Sequence, residues 1–379
     1  MKNLLLILFA SLLLLTMACG SDEGADTNID LRDITYNRVD VIPFQPTGFP
    51  QPDFPADNPQ TKDGIQLGRM LFYDPILSQD SSQSCSSCHL QANAFTDPRQ
   101  FSVGIDGSLG TRNSMPLFNL VYNVNGFFWD GRSHSIEHQV LEPVENPIEL
   151  NDTWGNVEKK LRRSEMYQEQ FRKAFGIEYS NEIDKALATK AIAQFLRSII
   201  SWQSKWDQNL DYAPYTGLRP VLTASEERGR ILFFKEDSSG PVENGGDTEC
   251  GHCHNTRLFT NNTFKNNGLD FASSFDDFQD KGLGLTTNIS ADNGRFRAPS
   301  LRNIELTAPY MHDGRFQTLE EVIDFYSDHL KSAPNLDSNL GNHLPGLQMT
   351  QQQKDDIIAY LKTLTDYELI NDPQFSSPF

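Results

Sequence analysis

A mainly α-helical protein built from two similar units is predicted by three features of the 379-residue sequence. Apolar residues recur at three- and four-residue steps in several segments, and no alternating strand pattern of comparable length competes. The motif Cys-x-x-Cys-His occurs twice, beginning at Cys85 and at Cys250. Each copy is preceded by Gly-Arg-x-Leu-Phe and followed by Phe-Thr. The two halves are therefore interpreted as an internal repeat of one unit.

Residues 1–18 are predicted to be a lipoprotein signal peptide. Lys2 is followed by an apolar run from Leu4 to Met17, which is too short to cross a bilayer, and then by Cys19. A cysteine at this junction favours cleavage before Cys19 and lipidation of its thiol. We expect an exported protein on the periplasmic side, anchored through Cys19, with ordinary secretion as the alternative.

Two further segments lack a sustained helical or strand period. Residues 19–59 are acidic and then rich in proline, which predicts a linker that becomes an ordered wrap. Proline and glycine interrupt the helical pattern again at 212–219, where we expect the boundary between the units. The predicted units are therefore residues 60–215 and 216–379.

Each Cys-x-x-Cys-His motif can hold one covalent haem c, because its two thiols form thioethers and its histidine binds the iron. The predicted attachment and iron-binding residues are Cys85, Cys88, His89, Cys250, Cys253 and His254. A zinc site made from the four thiolates is the alternative on spacing, but it leaves both histidines without a role. The units are thus predicted to be two cytochrome c-like haem domains, and no disulfide is expected.

Helices are predicted where periodicity and capping signals coincide. Thr223 with Glu226, and Thr350 with Gln353, form capping boxes ahead of apolar periodic segments. Between the two motifs, apolar residues recur over 183–202, which predicts one long amphipathic helix.

The net charge of −19 limits the partners of the protein. Nucleic acid and anionic membrane surfaces would be repelled rather than neutralised. A small basic electron-donor protein is the more plausible partner.

The group that fills the free face of each iron would decide the function. A haem capped on both faces carries electrons, whereas an open haem can bind peroxide. No histidine lies between His89 and His134, and the one methionine in that stretch is Met115. An open first haem is expected, with Met115 or His134 as alternative ligands. If both irons were six-coordinate, the protein would be a plain dihaem electron carrier.

Several ordered motifs resemble those of the bacterial dihaem cytochrome c peroxidase and MauG family, over nearly the whole chain after the signal peptide. They are Arg112-Asn113-Ser114, Phe128-Trp129-Asp130-Gly131-Arg132, Asn146-Pro147-Ile148-Glu149, Leu301-Arg302-Asn303 and Ala308-Pro309-Tyr310-Met311-His312-Asp313-Gly314-Arg315. The resemblance implies a peroxidase that reduces hydrogen peroxide to water. Electrons would come from a monohaem cytochrome c or a cupredoxin and pass from the C-terminal haem to the N-terminal, peroxidatic haem. A homodimer is also left open.

The same resemblance implies roles for individual residues. Trp129 matches an electron relay between the haems, and Glu149 matches the carboxylate over the open haem. Gln139 and Pro143 match neighbours of that carboxylate. The oxygens of Asn113, Thr307 and Pro309 match a calcium site, and hard oxygen donors suit that ion.

Two departures from the peroxidase pattern are expected to matter. The loop at 102–107 lacks the histidine that caps the resting iron in many of these peroxidases. Tyr326 stands where the peroxidases place a methionine ligand, on a helix capped by Thr318 and Glu321. Its rivals as ligand of the second iron are Met311, His312, His329 and His343. A phenol ligand lowers the haem potential, which favours a MauG-like oxidase that uses peroxide to oxidise a protein or a small organic substrate.

Overall fold

The computed structural model describes residues 28–52, 54–211, 222–234 and 248–379. The predicted signal peptide, the anchor at Cys19 and the boundary at 212–219 lie outside these residues. Within the described ranges, no helix is both long enough and apolar enough to cross a membrane.

Helices and turns make up most of the described chain, which confirms the prediction of a mainly α fold. The helices are α1 (Lys62–Tyr73), α2 (Ile136–Glu145), α3 (Trp154–Arg163), α4 (Glu165–Phe175), α5 (Lys185–Ser198), α6 (Lys205–Asp211), α7 (Ala224–Phe234), α8 (Cys250–Cys253), α9 (Leu283–Thr287), α10 (Leu319–Asp328), α11 (Ser338–Gly341), α12 (Gln351–Lys362) and α13 (Tyr367–Asn371). Two short strands, β1 (Phe264–Lys265) and β2 (Phe296–Arg297), pair antiparallel.

The repeated Gly-Arg-x-Leu-Phe segment lies at the same kind of helix crossing in both halves. A Cβ atom on Gly68 in α1 would clash with the carbonyl group of Ala191 in α5. A Cβ atom on Gly229 in α7 would clash with the carbonyl group of Asp356 in α12. Glycine permits such a close approach of two backbones because it has no Cβ atom. The repeated glycine therefore indicates that the same kind of helix pair occurs in both halves.

The described residues form two main apolar cores, one from the earlier and one from the later part of the chain. One segment near the C-terminal end is an exception, because it returns to the first core. The first is built around α1 to α5, and the second around α7, α10 and α12. Leu369 and Phe375, near the end of the chain, are buried in the first core. Tyr73 holds this returning segment by donating a hydrogen bond from its hydroxyl to the Phe375 carbonyl oxygen at 2.5 Å.

The described part of the acidic and proline-rich segment runs along the folded units. Backbone bridges join Asp30 to Tyr179 and Asp40 to Thr61. Phe49 is buried in a small cluster with residues of both halves, including Tyr122 and Leu258. This segment therefore helps to connect the two units.

The capping predictions are confirmed, and one helix prediction is too long. Reciprocal capping hydrogen bonds form between Thr350 and Gln353 and between Thr223 and Glu226. The helix predicted over 183–202 is α5, which begins after Asp184 because that side chain caps the Leu187 N–H. It ends at Ser198, so its apolar pattern continues into a buried turn.

Candidate functional site

The first Cys-x-x-Cys-His motif borders a cavity of about 840 Å³. Cys85 begins a single 3-10 turn, and Cys88 and His89 follow directly. Apolar side chains from α1, α2 and α5 contribute to the same wall. A flat apolar macrocycle with two thioether links fits this combination of thiols, imidazole and apolar wall.

The second motif borders a separate cavity of about 210 Å³. Cys250 and Cys253 lie on α8, and α10 and α12 supply apolar side chains to the opposite wall. The two cysteine pairs line different cavities, so the four thiols do not converge on one point. Within the described ranges, no group of three or more His, Cys, Asp or Glu side chains is suited to a metal ion. The geometry does not support the zinc alternative.

The two motif histidines are held with the same ring nitrogen free. Nδ1 of His89 lies 2.9 Å from the Phe95 carbonyl oxygen, and Nδ1 of His254 lies 3.1 Å from the Phe259 carbonyl oxygen. Because a carbonyl can only accept, each Nδ1 carries the proton and each Nε2 keeps a lone pair for iron. Burial lowers the pKa of both imidazoles, which favours this neutral form.

Glu149 lines the first cavity, close to the C-terminal end of α2. Burial raises the pKa of its carboxyl above the ordinary value for glutamate. Asn146 opposes this shift because its Nδ2 donates a hydrogen bond to Glu149 Oε1 at 2.6 Å. The positive charge of Arg132, which also lines the cavity, acts in the same direction as Asn146. The site thus holds a carboxyl group that keeps its proton more readily than an exposed glutamate, as suits a group that exchanges protons with a substrate.

Gln139 and Pro143 lie four residues apart on α2, and both line the first cavity. This spacing places them on one face of the helix. The structure therefore brings the two expected neighbours and Glu149 to the same cavity as His89.

The internal repeat relates three positions that line the two cavities. Counting from the shared Phe-Thr and Asp-Gly-Arg sequences gives the pairs Val103 with Asn267, Phe128 with Met311, and Pro143 with Tyr326. The first member of each pair lines the first cavity, and the second member lines the second cavity. In the first cavity none of these three side chains has an atom that binds iron, whereas the second cavity has a thioether and a phenol.

The alternative ligands of the first iron are less well placed. His134 is exposed and does not line the cavity. Met115 lines the cavity, but its backbone contacts the His89 imidazole. Of these two residues, Met115 alone borders the first cavity, and it does so on the side of His89.

Two rivals for the second iron lie side by side. Nδ2 of Asn267 lies 3.1 Å from the hydroxyl oxygen of Tyr326 and 3.5 Å from the sulfur of Met311. Burial raises the pKa of Tyr326 to about 12, and the Asn267 hydrogen bond acts against that rise.

The histidine rivals lie elsewhere or are already engaged. His312 lines the second cavity, but its ring stacks on Phe296 with centroids 3.6 Å apart. His329 and His343 do not line that cavity.

Trp129 lies between the two cavities and contributes to the lining of both. Its indole is buried, and Nε1 donates a hydrogen bond to the Asn113 carbonyl oxygen at 2.8 Å. Its own carbonyl oxygen accepts a hydrogen bond from the Arg297 N–H at 2.9 Å. The ring is therefore fixed at the place where a relay between two haems would stand.

The three expected calcium-binding residues also meet at this junction. Asn113, Thr307 and Pro309 all line the second cavity, and Asn113 lines the first as well. Asn113 Nδ2 donates to the carbonyl oxygens of Arg99 and Gln100, which turns its side-chain oxygen away from them. Over the described part of the chain, no hydrogen bond reaches that oxygen or the Thr307 and Pro309 carbonyl oxygens. Free hard oxygens of this kind suit calcium.

Sequence reasoning missed Arg297, a buried cation that borders both cavities. Its guanidinium donates to backbone carbonyl oxygens of Asn125, Gly126 and Phe128, and to the side chain of Asn262. No carboxylate forms an ion pair with it in the part of the chain that the structure describes. Burial lowers its pKa to about 10, so the group stays charged at neutral pH. Its one signal in the sequence was its position four residues before the Leu301-Arg302-Asn303 motif.

The fold and the paired cavities define a dihaem c-type oxidoreductase, and comparison with known proteins gives the family. Residues 62–213 match the di-haem cytochrome c peroxidase family. The cytochrome-c peroxidase IdrP1 of Pseudomonas sp. (strain SCT) is 34% identical over 353 residues, which cover 86% of this chain and 87% of that protein. The methylamine utilization protein MauG of Methylorubrum extorquens is 31% identical over 310 residues, covering 82% of this chain and 80% of that protein.

Solved structures agree with this assignment. A crystal structure of a MauG-like protein associated with microbial copper homeostasis has a TM-score of 0.76 and 36% identity, covering 88% of this chain and 98% of that one. The diheme peroxidase BthA of Burkholderia thailandensis E264 has a TM-score of 0.66, covering 84% of this chain and 91% of that one, and its 22% identity makes it a comparison of fold alone. The chain belongs to the di-haem cytochrome c peroxidase and MauG family. Two covalent haem c groups follow from this membership and from the two motifs.

Proposed function

We propose that the protein is a dihaem c-type peroxidase that reduces hydrogen peroxide to water. One peroxide, two protons and two electrons give two water molecules. The electrons come from a small redox protein, such as a monohaem cytochrome c or a cupredoxin, and move from the C-terminal to the N-terminal haem site. The observation that carries the proposal is the carboxyl of Glu149 in a cavity whose three repeat-related positions offer iron no ligand.

The haems would supply an iron position for peroxide in the first cavity and a store of electrons in the second. Glu149 would accept a proton from one oxygen of hydrogen peroxide and return it to the other oxygen, which could then leave as water. The Asn146 amide holds Oε1 of that carboxyl in one direction. Gln139 and Pro143 narrow the space beside it, because both line the same wall.

Trp129 is the proposed path for the electrons. Among the residues that the structure describes, it is the aromatic one that borders both cavities, and hydrogen bonds hold it at its indole and at its backbone. A fixed ring between donor and acceptor needs little reorganisation when charge passes.

The decisive experiment compares Glu149→Gln with the wild-type holoprotein. We expect peroxide turnover with a reduced small cytochrome to fall by at least ~100-fold, the range typical of a lost general acid–base group. Both haems should remain attached, as measured by the pyridine haemochrome spectrum. Glu145→Gln is the matched control, because Glu145 is exposed, lies four residues before Glu149 at the end of α2 and does not line the cavity. Turnover that survives in Glu149→Gln would remove the proton role.

A MauG-like oxidase is the second candidate, and the phenol of Tyr326 favours it. A phenol ligand lowers the potential of the second haem and makes it a poor acceptor from an ordinary cytochrome donor. The protein would then use peroxide to withdraw electrons from a protein or a small organic substrate. Peroxide consumption that requires no reduced cytochrome, together with oxidation of an added partner protein, would favour this candidate over the peroxidase.

We further propose that the protein works on the periplasmic side of a membrane, anchored by lipid at Cys19. The support is the apolar run before Cys19 and the covalent haem chemistry of exported proteins. Replacing Cys19 with Ser should release the protein from the membrane fraction, whereas retention there would contradict the anchor.

A further inference from the structure

The two rival ligands of the second iron share one hydrogen-bond donor. Nδ2 of Asn267 reaches the hydroxyl oxygen of Tyr326 at 3.1 Å and the sulfur of Met311 at 3.5 Å. An amide nitrogen carries two protons and can therefore serve both neighbours at once. A contact that fixes the Asn267 amide therefore also fixes the positions of the Tyr326 hydroxyl and the Met311 sulfur relative to each other.

The backbone around Asn267 is held on both sides. β1 ends at Lys265, two residues earlier, and is paired with β2. Asn266, the residue before Asn267, accepts a hydrogen bond from the Gly268 N–H on its side-chain oxygen at 2.9 Å. Its backbone forms a parallel bridge with Leu336. Gly268 has a φ of +76, and a Cβ atom at this position would lie 3.1 Å from both the Leu336 side chain and the Lys331 carbonyl oxygen, so the turn after Asn267 favours glycine and leaves little room.

The repeat shows where this amide is used. The first unit has Val103 at the position of Asn267, where Phe128 and Pro143 replace Met311 and Tyr326. The donor is thus present in the unit whose two partner positions can bind iron, and a valine stands in the unit whose positions cannot. The two units share one fold, but the asparagine stands in the unit whose cavity holds the possible iron ligands. This pairing indicates that Asn267 acts in ligation rather than in the fold that both units share.

The two bonds differ in what they do to their acceptors. A phenol oxygen has more than one lone pair, so it can accept from the amide and still offer a lone pair to a metal. Donation also sets the direction of the phenol ring, as groups behind a metal ligand commonly do. A thioether sulfur is a weaker acceptor, and its contact with the amide holds the flexible Met311 side chain beside Asn267.

We infer that Asn267 is a positioning residue that selects Tyr326 over Met311 as the side chain completing the second haem site. Its amide orients the phenol oxygen toward the cavity and occupies the sulfur of Met311. The inference rests on the second candidate function in one respect, the placing of Tyr326 as a ligand of the second iron, and it adds the residue that makes the choice.

The test uses the holoprotein with Asn267→Leu, which is similar in shape and has no donor, and Asn267→Asp, which is closer in size and also cannot donate when ionised. The readouts are the Met-to-iron charge-transfer absorption, the electron paramagnetic resonance spectrum and the reduction potential of the second haem. We expect the wild type to lack the methionine band. Both variants should gain it, with a higher potential, because methionine paired with histidine raises the haem potential.

Asn339→Leu is the matched control, since Asn339 lines the same cavity and, in the described structure, its side chain has no hydrogen bond to either rival. It should leave the spectrum and the potential unchanged. Adding Met311→Leu to Asn267→Leu should abolish the new band, which shows that Met311 is its source.

Two results would overturn the inference, and they are distinguishable from failure of the peroxidase proposal. A methionine band in the wild type would show that Asn267 does not keep Met311 from the iron. Unchanged spectra and potential in both Asn267 variants would show that the amide selects nothing. Peroxide turnover of the wild type, measured separately, decides the peroxidase proposal in either case.

Discussion

The indole nitrogen of Trp129 donates its proton to the backbone carbonyl oxygen of Asn113, at a distance of 2.8 Å. The side chain of the same asparagine is the expected calcium ligand. The proposed electron relay and the proposed calcium site therefore share one residue, which holds the relay with its backbone and would bind the ion with its side chain.

Replacing Trp129 with Phe should slow electron transfer between the haem sites while leaving both haems attached. Phenylalanine keeps the apolar contacts but is harder to oxidise, and the lost hydrogen bond should cost only about 1 kcal/mol of stability. Stopped-flow spectroscopy after mixing the reduced protein with peroxide measures the rate.

Trp154→Phe is the control for that experiment. Trp154 is also buried and donates from Nε1 to a carbonyl oxygen, that of Leu141 at 3.2 Å, but it lines neither cavity. An equal slowing in both variants would contradict the relay role of Trp129.

Removal of calcium should slow turnover without releasing haem. Asn113, Thr307 and Pro309 offer hard oxygens at the junction of the cavities, so a chelator should take up about one ion per chain. Added Ca²⁺ should restore activity better than Mg²⁺, which demands a smaller octahedral shell. Elemental analysis of the protein dialysed against calcium checks the occupancy, and a calcium-free result there would contradict the site.

The pH dependence of kcat/KM should report the ionisation of Glu149. Burial raises the pKa of this carboxyl, and it must be ionised to accept the first proton from peroxide. Activity should therefore fall as the pH drops through a value above the ordinary pKa of glutamate. In Asn146→Leu the loss of the N–H donor should raise the pKa further and move the fall to higher pH. A shift to lower pH in that variant would contradict the assignment.

Replacing Arg297 with Met should lower the reduction potentials of both haems and destabilise the fold. The buried positive charge borders both cavities and favours the reduced state of a nearby iron. Its loss also leaves buried carbonyl oxygens without donors, which should cost about 3 kcal/mol in denaturant unfolding.

Arg297→Lys separates the electrostatic from the structural effect, because it keeps the charge while losing most of the hydrogen bonds. We expect its potentials to stay near the wild-type values although its stability falls. Potentials that drop equally in the Lys and Met variants would contradict an electrostatic role.

The sequence was sufficient where a local pattern has one physical meaning. The paired Cys-x-x-Cys-His motifs, the capping box at Thr350 and the repeated glycines all predict features of the fold that local geometry dictates. The end of α5 was missed because the apolar pattern continues into the buried Ile199, and periodicity does not distinguish a helix from a buried turn.

Residues that act through tertiary contacts could not be predicted in this way. Asn267 follows a two-residue strand and looks like an ordinary loop asparagine, and its partner Tyr326 is 59 residues away. Arg297 meets its carbonyl acceptors across about 170 residues of chain, a contact that no local pattern records.

The returning segment with Leu369 and Phe375 has a consequence for biogenesis. Because these side chains are part of the core built around α1 to α5, that half lacks pieces of its interior until they have been synthesised and exported. Folding of the earlier half should therefore finish late, which gives the haem-attachment machinery time to reach Cys85 and Cys88 while that region is still accessible.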